Sequence, residues 1–384
     1  MNILFLTFWY STQELPGKGI FIQEQAITIA KTGVNIHVVH VCIQKGSGLF
    51  SIEYRSETVA DLPTTRIIIS SMLWKGYYYF SRFFYKIVER RVFKLAEAGR
   101  FDMIHSNVVF PAGIFGDRLS KKMGIPHIIS EHWSGLNKFF TTHLDKNRGR
   151  QAYNRTAAIL AVSDFLREAI KPFVNDPAKI SIVPNVVPQE TFHFKAKKPD
   201  TDRPIRFIAV ANWTRGKVQF KFPELVIQAI GNIHKSHPGY KIELEFIGSG
   251  NMIDAMKKQA SDLGIKAIFS GQKPKSYIAQ KMQSSDFLLH PTLYETFSVV
   301  IAESLMCGLP VIASEVAAIP ELINEENGVL TKNDVPSWES AILQAMTRTF
   351  DRAMIASTVA NKFSQNSVGH QISSIYTSVL ERIK

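Results

Sequence analysis

HPTLYETFSVVIAESLMCGLPVIASEVAAIPELINEENGVLT, residues 290–331, contains one full step of an α/β sheet. The apolar run Phe287 to His290 ends at Pro291, and a loop holding Glu295 follows. A helix starts near Ser298 and stops at Gly308, a residue suited to a left-handed carboxyl cap, and Pro310 rules out its continuation. Val311 to Ala313 then resumes the strand pattern. Strand, loop, helix and strand in this order form the unit from which parallel sheets are wound.

The same alternation runs outward in both directions. In the first half the strand candidates are Ile3 to Phe8, Asn35 to Val41, Arg66 to Ile69, Phe101 to His105, His127 to Ser130, Ala158 to Val162 and Ile180 to Val183. Helix-length amphipathic stretches separate them, which makes one doubly wound sheet. Between Val187 and Pro204 the chain turns polar (KAKKPDTDRP) and reads as an exposed linker. A second series follows with Ile205 to Val210, Ile242 to Ile247, Ala267 to Phe269, Phe287 to His290 and Val311 to Ala313. The expected architecture is therefore two Rossmann-like doubly wound domains, 1–190 and 200–367, with a last helix over 368–384 that packs on either. Ligands of such sheets bind at the carboxyl ends of the strands, so a cleft between the two domains is the expected site.

A chain of 384 residues, 45% hydrophobic and 20% charged, is globular in composition and long enough to bury two cores. No run approaches the roughly 20 apolar residues of a spanning helix, and the opening Asn2 to Tyr10 lacks the flanks of a signal peptide. Cys42 and Cys307 lie in apolar surroundings without metal-ligand spacing, which suits a reducing cytoplasm. The net charge of +12 favours anionic partners: nucleotide sugars, phospholipid head groups or nucleic acid. Nucleic acid ranks last, because no RNP, zinc-finger or helix-turn-helix pattern is present.

The helix after Glu295 offers amides and a positive dipole end to a diphosphate through Thr296, Phe297, Ser298 and Val299. Thr296 and Ser298 can cap that turn. Glu303, among Val299, Val300, Ile301, Leu305 and Met306, needs a partner because an unpaired buried charge is costly, and ribose hydroxyls supply two donors. Glu295 and Glu303 form an E-x7-E pair which, with the CGLPVIAS and PELI…NGVL segments after it, resembles glycosyltransferase family 4, retaining enzymes of the GT-B fold. The resemblance implies that Glu303 binds ribose and Glu295 the donor sugar. Thr296-Phe297-Ser298 replaces the usual Gly-Phe-Gly, which alters the amides available to phosphate.

The resemblance extends over nearly the whole chain. Gly17 and Gly19 look like the family's glycine loop beside the diphosphate, and His132, in SEHWSGL, matches its histidine near acceptor and donor sugar. Glu131 and Trp133 are candidates to shape the acceptor pocket, and His105 is a second histidine at a strand end. Counting back eight residues from Ala229 gives Lys221 as the family's phosphate-binding lysine; Arg215, with Lys217 next, is its arginine, although Ala211-Asn212-Trp213-Thr214 has replaced Gly-Arg-Leu. Gly248-Ser249-Gly250 looks like the family's GxG, and Gly271-Gln272-Lys273 like the loop against the base. Ser163 and Asn185 match structural positions; no G-x-S-x-G elbow makes Ser163 a nucleophile.

The resemblance implies transfer of a sugar from a UDP or GDP sugar, without cofactor, to a glycan or lipid-linked acceptor in cell-surface polysaccharide or glycolipid synthesis. No Asp-x-Asp cluster accompanies these motifs, so Lys221, Arg215, the glycine loop and the helix start are expected to meet the leaving-group charge without a metal. Catalytic roles are expected of His132, Glu295, Lys221 and Arg215. Two alternatives share the fold: a nucleotide-sugar 2-epimerase and a binding protein without catalysis. WKGYYYFSRFFYKIVERRVFK, residues 74–94, adds aromatics to a stripe of Arg82, Lys86, Arg90 and Lys94, a pattern that predicts peripheral contact with an anionic membrane on its inner face. A core helix with a solvated basic face is the alternative for that stretch.

Overall fold

The computed structural model describes residues 1–11, 17, 19–74, 86, 88–95, 97, 99–196, 203–216 and 220–382. The chain forms two compact units, Met1–Val186 with Gln365–Lys384, and Val187–Ser364.

The first unit is built on eight strands: β1 (Asn2–Thr7), β2 (Asn35–Lys45), β3 (Ser51–Val59), β4 (Leu62–Ser71), β5 (Met103–Asn107), β6 (His127–Glu131), β7 (Ala158–Ala161) and β8 (Ile180–Ile182). Their order is β3-β4-β2-β1-β5-β6-β7-β8. Every pairing is parallel except β3 with β4, an antiparallel edge absent from the sequence expectation. β1, β5 and β6 are almost wholly buried, as parallel strands covered on both faces must be. Ile3, Phe5, Ile22, Ile29, Ile128 and Leu160 share one core with Val368, Ile372 and Tyr376 of the last helix, Gln365–Glu381. Gly369 lets that helix approach closely, since a Cβ there would lie 3.0 Å from Thr32 Cγ2 and 3.1 Å from Thr28 Cγ2, at the carboxyl end of the helix Ile20–Ala30.

The second unit has six parallel strands: β9 (Ile205–Val210), β10 (Ile242–Ile247), β11 (Ala267–Gly271), β12 (Phe287–His290), β13 (Val311–Ser314) and β14 (Gly328–Thr331). Their order is β11-β10-β9-β12-β13-β14, so the winding reverses between β9 and β12. That switch point is where an open α/β sheet leaves room for a ligand. Phe207, Ile230, Phe246, Leu289, Ile312 and Trp338 anchor its core. The stretch expected to be an exposed linker is partly interior. Val187 and Phe192 are fully buried, because the Val187 N–H donates to Phe363 O at 2.9 Å and the Phe192 N–H to Pro188 O at 2.9 Å. Arg203 then clasps Asp286 with two hydrogen bonds of 2.7 and 2.6 Å.

Candidate active site

In the second unit the side chains gather at the carboxyl ends of β9 and β12. Lys221 pairs as a backbone bridge with Thr292, and Thr292 is locked in turn: its N–H donates to Ser314 Oγ (2.8 Å), Ser314 to Asn333 Oδ1 (2.6 Å), and Asn333 Nδ2 back to Thr292 O (2.9 Å). The ends of β12, β13 and β14 are thereby tied into one frame. On it the Lys221 ammonium contacts the Glu295 carboxylate, donates to Thr292 Oγ1 at 3.1 Å, and lies 3.3 Å from His290 Nε2. His290 Nε2 is also 3.3 Å from Glu295 Oε1 and 3.2 Å from Ser298 Oγ. Burial pushes the Glu295 carboxyl up, but the hydrogen bond with His290 and the charge of Lys221 outweigh it and hold the pKa at about 2. Burial, seconded by Lys221, lowers His290 to about 4. At neutral pH Glu295 is therefore a fixed carboxylate and His290 an uncharged imidazole, both against the Lys221 side chain.

Ser298 caps the helix Val299–Met306, its Oγ accepting from the Ile301 N–H at 3.4 Å. Thr296, Phe297 and Ser298 are all buried, as is Glu303 one turn into that helix. Burial first, and the Glu303 charge next, push the Cys307 thiol up to about 12, so it is inert. Beside β9 and β10 the backbone runs tight. Gly248 has φ 121, and a Cβ there would come within 1.8 Å of Ala211 O; Gly250, at φ 151, faces Trp213 O at 2.1 Å. Gly271 also has positive φ but open space around it. Arg215 is turned the other way: Asn251 holds its backbone (2.8 and 3.0 Å), and its guanidinium lies 3.6 Å from Glu224. Its described contacts do not bring it to the Lys221 cluster.

In the first unit Gly19 caps the helix Ile20–Ala30 at φ 69, where a Cβ would collide with the Trp9 carbonyl at 2.5 Å, whereas Gly17 has open space. His132 is buried, Nδ1 3.0 Å from Asn185 Oδ1 and the ring 5.0 Å from that of Phe21. Desolvation lowers its pKa to about 4, so it too is uncharged at neutral pH. Among the described residues no three His, Cys, Asp or Glu side chains gather as a metal-ligand set.

Residues 17–191 match the profile described as Glycosyltransferase Family 4, and residues 206–348 that of Glycosyl transferases group 1. This chain belongs to glycosyltransferase family 4. Among its relatives is the D-inositol 3-phosphate glycosyltransferase of Stackebrandtia nassauensis, 25% identical over 318 residues, 74% of this chain and 70% of that protein. The fold is likewise that of solved GT-B structures. The sucrose-phosphate synthase of Thermosynechococcus elongatus superposes with a TM-score of 0.75 at 17% identity, covering 100% of both chains. The Anabaena protein HepE in complex with UDP-glucose gives 0.71 at 15% identity, covering 98% of this chain and 100% of that one.

The family 4 enzyme transfers a sugar from a nucleotide sugar, and several of its side chains are placed differently from the sequence expectation. His105 is no site residue: it is fully buried, with Nδ1 2.5 Å from Tyr376 OH and Nε2 2.8 Å from Ser130 Oγ, and it fixes the last helix to the sheet. Glu131 faces inward, not into a pocket. Its carboxylate accepts from Val109 N–H (2.9 Å), Tyr153 OH (2.8 Å), His132 N–H and Trp133 N–H (both 3.0 Å), and burial raises its pKa against those bonds. His290, the hub of the glycosyltransferase's cluster, is in the sequence no more than the end of a strand. Lys217 lies outside the described residues; the expectation of no Asp-x-Asp spacing is corrected by Asp200-Thr201-Asp202 in the linker, which also lies outside them.

Proposed function

We propose that the second unit binds the donor, with Glu303 on the ribose, Lys221 and the helix start at Thr296, Phe297, Ser298 and Val299 on the diphosphate, and Glu295 on the hydroxyls of the sugar. The observation that carries this reading is the Lys221–Glu295–His290 cluster at the switch point, one turn from Glu303. Gly248 and Gly271 let the backbone approach the nucleotide. Arg215 reaches a phosphate by a side-chain rotation. Positioned cations and amides are the usual means of stabilising a departing diphosphate, so no metal is required. A carboxyl at about 2 is no acid at neutral pH, and His290 and His132, both near 4, are not imidazolium there, so none of the three protonates the leaving diphosphate. The acceptor proton then passes to the departing diphosphate, on the face it leaves, and the anomeric configuration is retained. Glu295 positions and stabilises; it forms no covalent bond.

Labelled UDP and GDP sugars test this reading, with and without acceptor and in excess chelator. Transfer with retained configuration in chelator supports it. Donor converted without acceptor identifies a 2-epimerase, and donor left intact throughout identifies a binding protein.

We infer further that the acceptor is a glycan or lipid-linked sugar met at an anionic membrane, in cell-surface polysaccharide or glycolipid synthesis. Residues 75–85 and 87 of the aromatic-basic stretch, Arg82 among them, lie outside the described residues. In the described part Lys86, Arg90 and Lys94 are exposed while Val88 and Val92 are buried, so the basic stripe faces water. Leu49, in the loop between β2 and β3, and Met72, just after β4, are 73% and 54% exposed; exposed apolar residues in a unit that also bears an exposed basic stripe suit a head-group interface. Among the described residues no helix is long and apolar enough to cross a membrane.

A further inference from the structure

A cavity of about 420 Å³ opens in the first unit where β5 and β6 end, lined by Phe110, Trp133, Phe139, Leu144, Lys138 and His143. Its walls are flat rings in register. Phe110 stacks on Trp133 with centroids 6.3 Å apart and planes 24° apart, and on Phe139 at 4.9 Å and 28°, while His143 leans on Phe110 at 4.3 Å. Leu144 stands 72% exposed at the rim.

This box is built rather than incidental. Glu131 is its clamp: one carboxylate oxygen takes the N–H of Val109, before Phe110, and the other the N–H groups of His132 and Trp133. Val108 sits at φ 70, a strained place for a β-branched residue, and is held there by its N–H to Ser130 O (2.7 Å) and by the Gly113 N–H to its own carbonyl (2.9 Å). Gly135 leaves room for the indole, since a Cβ there would fall 2.5 Å from Trp133 Cε2. Strain and a missing side chain spent on seating two rings mark a surface shaped for a ligand.

We propose that this box is a platform for a neutral hexopyranose of the acceptor, whose C–H face lies on Trp133 and Phe110 while its hydroxyls meet the rim. The volume suits one or two sugar rings, near the lower end for small-molecule pockets. The rim supplies donors for hydroxyls: the Lys138 ammonium, and His143, whose Nδ1 accepts from the Asp145 N–H at 3.0 Å so that a neutral ring carries its proton on Nε2. Among the described residues no arginine lines the box, and a lone lysine lacks the planar fork that selects phosphate, so an anionic sugar phosphate fits it less well. The proposal rests on reading His132, next to Trp133, as the histidine near the transferred sugar.

The test is binding to the full chain without donor, read by saturation-transfer NMR and tryptophan fluorescence. The probes are methyl glucoside, methyl galactoside and lactose, with glucose 1-phosphate and inositol phosphate as anionic counterparts and octyl glucoside as the lipid-borne form. Neutral glycosides should bind in preference to the phosphates, and both Trp133→Leu and Gly135→Ala should weaken them, the first by about tenfold. A gain with octyl glucoside over methyl glucoside assigns the sugar to a glycolipid, and equal binding to a free glycan. Tighter binding of the phosphates, or glycoside binding unmoved by either variant, overturns the proposal. The donor reading fails separately, by the absence of thermal stabilisation from any UDP or GDP sugar in the same samples.

Discussion

Replacing Lys221 by Met tests whether the cluster at the end of β12 acts as a unit. The lysine side chain is 16% exposed and that of Glu295 23%, so the variant leaves a largely buried carboxylate with His290 but without its cation. Breaking a well-buried pair costs about 3 to 5 kcal/mol; discounted for this exposure, about 2 to 3 kcal/mol is expected. For a domain of this size that is about 6 to 9 °C of melting temperature. The pH dependence gives the sharper signature. The folded pKa of Glu295, about 2, lies below its unfolded value of about 4.3, so its contribution is full above about pH 5 and is lost as pH falls through 4 toward 2. The gap in melting between wild type and Lys221→Met should therefore be widest at pH 7 and shrink toward pH 2.5. Glu295→Gln should destabilise without that pH dependence, and the double variant should fall short of the sum of the two by about 1.5 kcal/mol or more. The assay is a denaturation series across pH, followed through the buried Trp213 and Trp338. Strict additivity, or a gap indifferent to pH, would refute the coupling.

Glu303→Ala should weaken UDP or GDP binding by about 1.5 to 3 kcal/mol, the worth of a hydrogen bond to a charged group, and calorimetry on the folded variant showing unchanged affinity would remove the ribose assignment. Gly248→Ala should destabilise the second unit severely because its Cβ meets Ala211 O at 1.8 Å, whereas Gly271→Ala, in open space, should cost only about 1 to 2 kcal/mol for its left-handed φ; melting curves compare them directly. Cosedimentation with vesicles should require anionic lipid and weaken with salt, and changing Lys86, Arg90 and Lys94 together to Glu should abolish it, each cation being worth about 1 kcal/mol at the surface. Equal recovery with neutral and anionic vesicles would dismiss the membrane contact.

The strands legible in the sequence are those whose last four residues are all buried. Ile205–Val210, Ile242–Ile247 and Phe287–His290 coincide with their expected bounds: Pro204 precedes the first, Lys241 and Gly248 bracket the second, and Asp286 and Pro291 bracket the third. β3 escaped notice because SIEYRSETV lies on a sheet edge with most of its residues exposed, which erases the apolar signal. β14 opens on a glycine directly after the polar run Asn324-Glu325-Glu326-Asn327, so GVLT does not stand out from the loop before it. In the site, residues whose spacing is fixed along one helix and its loop could be read by counting. His290 could not, because its role comes from side chains at 221, 295 and 298 that only the fold assembles; a histidine closing the apolar run FLLH was the one available signal. Glu131 was obscure for a related reason, since three of its four partners are backbone amides, which no sequence pattern shows.

The antiparallel β3 also decides how the molecule behaves in a crowd. A sheet that stopped at β4 would present a ten-residue row of free amides and carbonyls behind Ile67, Ile68 and Ile69, a template on which another copy could lay a strand. β3 covers that row and turns outward a strand bearing Glu53, Arg55 and Glu57, whose like charges meet when two such edges approach in parallel. The opposite rim, β8, is three residues long, too short to start a ladder. Changing Glu53 and Arg55 to Val or Thr, with Glu57 kept as the partner of the buried Arg66, would keep the strand's own pairing and make that rim adhesive, so that concentrated solutions should turn cloudy at temperatures where the native sequence stays clear.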